Sequence, residues 1–308
     1  MNQSIATPMK LILLSLIFAL ALTSFAEPNA AVSSNKKVVL SDSDKVGGFV
    51  LGCQAYSFRE LTAFEAIDKT KACGGKVIEF FTWQKFSLEH PNVELNSNLS
   101  DENIRLLKAK LDAAGIKAVN AYVGNANFVK GGKDETAPRK VFEWARKMGL
   151  RGLTGEPPED QLDIIEKLAK EYDIQFCLHN HKKELENPGY HNWDPHYTLS
   201  LIKNRDHHIG ACVDTGHLVR SEIKPVEALK ILEGRVLSVH LKDMSEWGSK
   251  GMDQPYGTGI SDIKAALSEL KRQKFTGHIS IEYENNTDHL VDDVKKCVDY
   301  VRVEGPKS

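Results

Sequence analysis

In Cys177-Leu178-His179-Asn180-His181 two imidazoles stand two positions apart, and alternation along an extended run sends both to the same side. A lone strand histidine is most often a satisfied core residue, but a same-face pair at the end of a strand points to metal binding or proton transfer. The pair needs further ligands from elsewhere. Val213-Asp214-Thr215-Gly216-His217 ends an apolar run on a carboxylate, able to bind a cation or merely to cap the next helix, and turns through glycine to His217. In Val239-His240-Leu241-Lys242-Asp243 the side chains of His240 and Lys242 share a face, as do Ser280, Glu282 and Glu284 in Ile279-Ser280-Ile281-Glu282-Tyr283-Glu284. Val77-Ile78-Glu79 ends on another carboxylate.

Two imidazoles and two carboxylates on a rigid frame suit one divalent ion, Mn²⁺, Zn²⁺, Co²⁺ or Fe²⁺, and this much imidazole disfavours Mg²⁺. Such an ion could hold a carbonyl and its adjacent hydroxyl, polarise the carbonyl and stabilise the enediolate left when a base removes the α-proton. Glu79 and Lys242 could bind substrate, transfer protons or stabilise charge; the other reading of each is a structural ion pair.

These residues need strands that end together. From about residue 47 short β-rich runs alternate with segments of helical period. The predicted strands are Phe49 to Tyr56, Val77 to Phe81, Ala118 to Val123, Gly152 to Gly155, Gln175 to His179, Gly210 to Asp214, Val236 to Leu241 and His278 to Tyr283. Amphipathic helices are clearest at Asp101 to Ala114, Ala137 to Met148, Glu159 to Glu171, Val226 to Leu232, Ser261 to Gln273 and His289 to Val301. Ser100, Pro157-Pro158 and Lys224-Pro225 mark helix starts, and Gly115 and Gly149 mark stops. Eight strand-helix units predict an α/β fold, a single-domain (β/α)8 TIM barrel over residues 47–305, with polar strand ends at its mouth. An open doubly wound sheet is disfavoured because the first strand-helix turn lacks a dinucleotide glycine fingerprint. The excursions Thr82 to Leu99 and Lys182 to Trp193 follow strands and are candidate substrate walls, offering Trp83 and Glu184. Trp193, Trp247 and Tyr256 also lie in loops after strands, where they could stack on a sugar or pack under their own loops.

Lys10, the apolar run Leu11 to Leu22 and Ser24-Phe25-Ala26 read as a signal peptide over residues 1–26, too short to span a bilayer, and residues 27–46 as a flexible leader. The expected location is periplasmic or secreted, with no stable membrane association after cleavage. Forty basic residues interspersed with 42 acidic ones, net charge -2, argue against a nucleic-acid partner and for a small polar one. A homo-oligomer is compatible with the sequence. Cys53, Cys73, Cys177, Cys212 and Cys297 lack the spacing of a disulfide framework and read as small apolar side chains.

The order of strand-two Glu79, His-Asn-His, Asp-Thr-Gly-His, His-Leu-Lys-Asp and terminal Ile-Glu-Tyr-Glu resembles the sugar phosphate isomerase/epimerase family of xylose isomerase-like TIM barrels, across essentially the whole expected mature chain. The resemblance implies one divalent metal on Asp214, His240, Glu282 and one of His179 and His181, the spacing favouring His179 and leaving His181 to face substrate, with His181 and Glu282 as catalytic groups beside Glu79 and Lys242, and His217 at a substrate-contacting position. Many relatives read Glu-Asn-His where this chain reads His-Asn-His. In the epimerases two metal-binding glutamates work as opposed bases, so the replacement leaves Glu282 without its carboxylate partner and points to one-base chemistry such as β-elimination or dehydration. Phosphorylated sugars are scarce outside the cytoplasm, so export favours an unphosphorylated keto-sugar or keto-glycoside as substrate. The resulting expectation is an isomerase, epimerase or lyase. A non-catalytic sugar-binding barrel and an abasic-site endonuclease are the alternatives; the latter's trinuclear centre needs more ligands.

Overall fold

The computed structural model describes Met1 and residues 36–305. All eight expected strands form: β1 (Phe49–Gln54), β2 (Val77–Phe81), β3 (Lys117–Tyr122), β4 (Gly152–Gly155), β5 (Gln175–His179), β6 (Ile209–Asp214), β7 (Val236–Leu241) and β8 (His278–Ile281). Each pairs in parallel with the next, and β8 pairs in parallel with β1, so the sheet closes on itself as a TIM barrel. Buried on both faces, the strands are dominated by apolar residues, as a sheet with helices outside and packed side chains inside requires.

The helices outside the barrel are α1 (Ala63–Cys73), α2 (Asp101–Ala114), α3 (Thr136–Met148), α4 (Leu162–Tyr172), α5 (Pro195–Ile202), α6 (Thr215–Arg220), α7 (Pro225–Ile231), α8 (Ile263–Arg272) and α9 (Leu290–Glu304). Ser100 caps α2 by accepting from the Asn103 N–H, and Gly115 and Gly149 end α2 and α3 in the left-handed conformation. The helix expected from Glu159 begins instead with a 3-10 turn, Glu159–Gln161, before α4. Helices α1, α5 and α6 escaped the sequence reading. α5 and α6 have only 8 and 6 residues, too few for a clear helical period. The α1 start was legible as a capping box in which Thr62 and Glu65 bond reciprocally.

The expected signal peptide lies outside the described residues except for Met1, and so does the leader up to residue 35. Residues 36–46 are held against the barrel rather than free. Lys45–Val46 pairs antiparallel with the start of β1, Asp44 meets Lys117 at 2.7 Å, and Leu40 packs on a cluster of Val50, Val77 and Val119. Their polar composition concealed this, because backbone pairing and one buried carboxylate hold them. All five cysteines are buried and unpaired. No helix among the described residues is long and apolar enough to cross a membrane.

Closure brings β1 and β2 so near that a Cβ on Gly52 would lie 1.6 Å from the Val77 carbonyl oxygen and 2.4 Å from its carbon. Gly52→Ala must therefore displace backbone, at a cost on the order of 3 kcal/mol. Urea unfolding should show a clearly lowered midpoint; a midpoint equal to the parent's would contradict the close approach.

Candidate functional site at the barrel mouth

Four neighbouring strands deliver four side chains to one point. His179 closes β5, Asp214 closes β6, His240 sits one residue before the end of β7, and Glu282 follows β8 directly. Asp214 and His240 are register partners. One nitrogen or oxygen from each of the four lies within 4.8 Å of the others. His179 Nε2 is 3.6 Å from Asp214 Oδ2, and His240 Nδ1 is 3.3 Å from Glu282 Oε2. All four atoms are buried and none makes a hydrogen bond of good geometry, although the Lys242 ammonium stands 3.2 Å from the Asp214 oxygen and 2.9 Å from the Glu282 oxygen. A buried polar atom left unsatisfied costs roughly 1–3 kcal/mol, so four orphans converging on one point form a cradle for a cation.

The back of each imidazole is occupied by a carboxylate. His240 Nε2 lies 3.0 Å from Glu79, which is completely buried and also bonds His278 Nε2 at 3.2 Å and the Ser280 hydroxyl at 3.0 Å. His179 Nδ1 lies 3.2 Å from Glu156, just beyond β4. A ring nitrogen donating to a carboxylate fixes the tautomer and turns the other nitrogen's lone pair toward a metal. Glu156 also bonds His181 Nδ1 and accepts from the hydroxyls of Tyr190 at 2.7 Å and Tyr122 at 3.3 Å and from the Asn192 amide at 3.2 Å.

Asp214 does two jobs at once. Its Oδ1 caps α6 by accepting from the His217 N–H at 2.8 Å, while Oδ2 faces the cradle. Lys242 is fully buried, with its ammonium 3.2 Å from Asp214, 2.9 Å from Glu282 and 2.7 Å from Glu284. Arg220 supports Glu284 from behind at 3.3 Å. Burial opposes charge on Lys242, but these carboxylates win and hold its pKa well above the usual lysine range. Burial opposes ionisation of Asp214 and Glu79 too, yet the Lys242 ammonium lowers the first, and His240 and His278 lower the second, well below the usual range. Burial opposes charge on His179, but the Asp214 and Glu156 carboxylates on either side of its ring outweigh it and raise its pKa to about 10. His217 goes the other way, since burial keeps it neutral and its Nδ1 is unpartnered.

The cradle opens into a cavity of about 310 Å³ lined by His179, His181, His217, Glu282 and Glu284 on one side and Gln54, Tyr56, Phe81, Trp83 and Tyr122 on the other. His181 and His179 do face the same side, their ring centroids 4.7 Å apart, and His179 is the one whose nitrogen joins the cradle. His217 and Trp83 line the cavity as expected. Asp214, His240 and Lys242 lie beneath the cavity lining, at the cradle, while Glu79 and Glu184 belong to neither. Glu79 is the middle residue of β2, two positions below Phe81, and so sits inside the barrel behind His240, which it positions. Glu184 is exposed and bonds Asn187 within its own loop. Trp193 packs under Lys183, and Tyr256 is buried with its hydroxyl on the Leu241 carbonyl. Glu156 was missed: Pro157-Pro158 drew attention as a helix start, although a carboxylate just past a strand is the same signal that identified Glu282.

A family model described as xylose isomerase-like TIM barrel matches residues 67–302. Among solved structures, a putative uncharacterized protein from Parabacteroides distasonis ATCC 8503 shares 33% identity over 82% of this chain and 98% of its own, with a TM-score of 0.64. The 3-keto-D-glucoside 4-epimerase from E. coli (16% identity, TM-score 0.61) and the D-psicose 3-epimerase from Clostridium cellulolyticum H10 (13%, 0.62) each align over 82% of this chain and 98% of theirs, a likeness of fold. No curated protein matches the sequence. The closed barrel, the matched residues and the 33% identical structure together establish that the chain belongs to the xylose isomerase-like TIM barrel family, among whose solved structural neighbours are sugar isomerases and epimerases.

Proposed function

We propose that the protein is an exported, divalent-metal-dependent enzyme that removes a proton from the carbon beside the carbonyl of an unphosphorylated keto-sugar or keto-glycoside, leading to isomerisation, epimerisation or elimination. The observation that carries this reading is the convergence of four buried ligand atoms, from His179, Asp214, His240 and Glu282, beneath an open cavity. Export rests on Lys10 and the apolar run before Ser24-Phe25-Ala26.

An ion of the Mn²⁺, Zn²⁺, Co²⁺ or Fe²⁺ type fits this mixed nitrogen and oxygen set and supplies Lewis acidity toward a carbonyl oxygen. Glu282 is the base: its carboxylate lines the cavity, with the Lys242 ammonium 2.9 Å away. Lys242 is the buried counter-charge that lets Asp214, Glu282 and Glu284 stand together. His181 has its Nδ1 held by Glu156, which leaves Nε2 as the nitrogen that can exchange a proton with substrate. The neutral ring of His217 offers its unpartnered Nδ1 to a hydroxyl. With imidazole at His179 in place of a second carboxylate, the strongest base is on one side only, which favours elimination or one-base exchange.

Elemental analysis of the purified protein should find close to one transition-metal ion per chain, lost in Asp214→Ala; a metal-free parent that still binds sugars would instead support a non-catalytic barrel. Glu282→Gln should cut deuterium incorporation from heavy water into keto-sugar substrates by at least about 100-fold while the melting temperature stays near the parent's. Retained exchange would remove Glu282 from the base role. Because Glu79 orients His240 without touching the cavity, Glu79→Gln should weaken metal affinity by roughly 10–100-fold, read by competition with a chelating dye.

A further inference from the structure

We propose that the substrate carries a second ring beyond the reacting sugar, and that this ring lies on Trp83; the proposal rests on the reading of the cavity as a keto-sugar site. The cavity is divided in composition. Its histidines and carboxylates stand on the strand ends from β5 to β8, and its aromatic residues come from β1 to β3 and the segments that follow them. Tyr122 marks the border, with its ring 5.4 Å from His179 and 6.4 Å from His181. Trp83 stands one ring further out, 5.8 Å from Tyr122, and no ring contact joins it to any of these histidines among the described residues. A sugar whose carbonyl sits over the cradle covers Tyr122, and whatever is attached to that sugar on this side meets the indole.

Trp83 is built as a platform rather than left loose. Phe81 at 5.1 Å, Tyr56 at 6.5 Å and Tyr122 at 5.8 Å hold it on three sides. Their interplanar angles of 59°, 70° and 88° mean that none of them stacks on its face. The indole remains 46% exposed, whereas Tyr256, an aromatic that does pack under its own loop, is 5% exposed. An indole that is braced by its neighbours and still half-exposed accepts the C–H face of a sugar or the plane of an aromatic group. Between the two halves lies Gln54, 2% exposed, whose side-chain oxygen accepts from the Tyr56 N–H at 2.6 Å. That bond fixes the amide and leaves its NH₂ at the cavity wall for a hydroxyl or the bridging oxygen.

The test compares 3-keto-glucosides bearing methyl, glucosyl and phenyl groups, using the metal-loaded full chain and its Trp83→Ala variant, with both deuterium exchange and calorimetric binding as readouts. The ring-bearing glycosides should exceed the methyl glycoside in kcat/KM and in affinity by at least about tenfold, and Trp83→Ala should bring the ratio to within about twofold, mainly through KM. A preference for phenyl alone or for glucosyl alone supports the proposal and identifies the ring. If none of the three exchanges but calorimetry still shows a preference that depends on Trp83, the second-ring site stands and the keto-sugar reaction falls. Equal handling of all three by the parent, an equal loss for all three in the variant, or no binding of any of them overturns the proposal.

Discussion

The barrel mouth concentrates negative charge where water cannot screen it, and the rest of the site follows from how that charge is balanced. Glu79, Glu156, Asp214, Glu282 and Glu284 approach one another within a region whose only buried ammonium is that of Lys242 among the described residues. In a medium of low polarity such a group is stable only if each charge is paired and hydrogen-bonded. Protein partners satisfy most of these atoms. Among the oxygens left without a hydrogen bond, Asp214 Oδ2 and Glu282 Oε2 face the free ring nitrogens of His179 and His240.

That balance also explains why the imidazoles are backed by carboxylates. His240 and His179 could each present either nitrogen to the centre, and Glu79 and Glu156 remove the choice by engaging the far nitrogen. The scaffold makes this orientation rigid, because every participating residue lies on or next to a strand of a closed sheet, which cannot shear without breaking parallel ladders on both sides. Rigid donors in a buried site need little reorganisation when charge develops on a bound carbonyl. The loop after β5 is tied into the same arrangement: the Tyr190 hydroxyl donates to Glu156 and accepts from the His181 N–H, so the loop and His181 share one anchor.

Much of the barrel was legible in advance. Strand positions follow from runs that are apolar on both faces, and β2, β4, β5 and β7 lie where the pattern puts them, because burial on two faces demands an unbroken apolar stretch. Short elements such as α6 were not legible, since a six-residue helix capped by Asp214 owes its existence to that cap and its contacts rather than to periodicity. The role of Asp214 illustrates a false choice: helix cap and ligand are compatible, because a carboxylate has two oxygens.

By itself the sequence determined the residue types at the strand ends, their alternation and therefore which side chains share a face, since these depend only on local chain geometry. Tertiary structure decided which of those side chains reach the cavity. Glu79 was read as a strand end like Asp214, yet β2 runs on to Phe81 and leaves Glu79 inside the barrel, because depth within a barrel depends on the register between strands distant in sequence. The same long-range register brought Glu156 behind His179, sent Glu184 out to solvent and stood Trp83 on Phe81 and Tyr122, outcomes set by contacts across the closed sheet that no local pattern encodes.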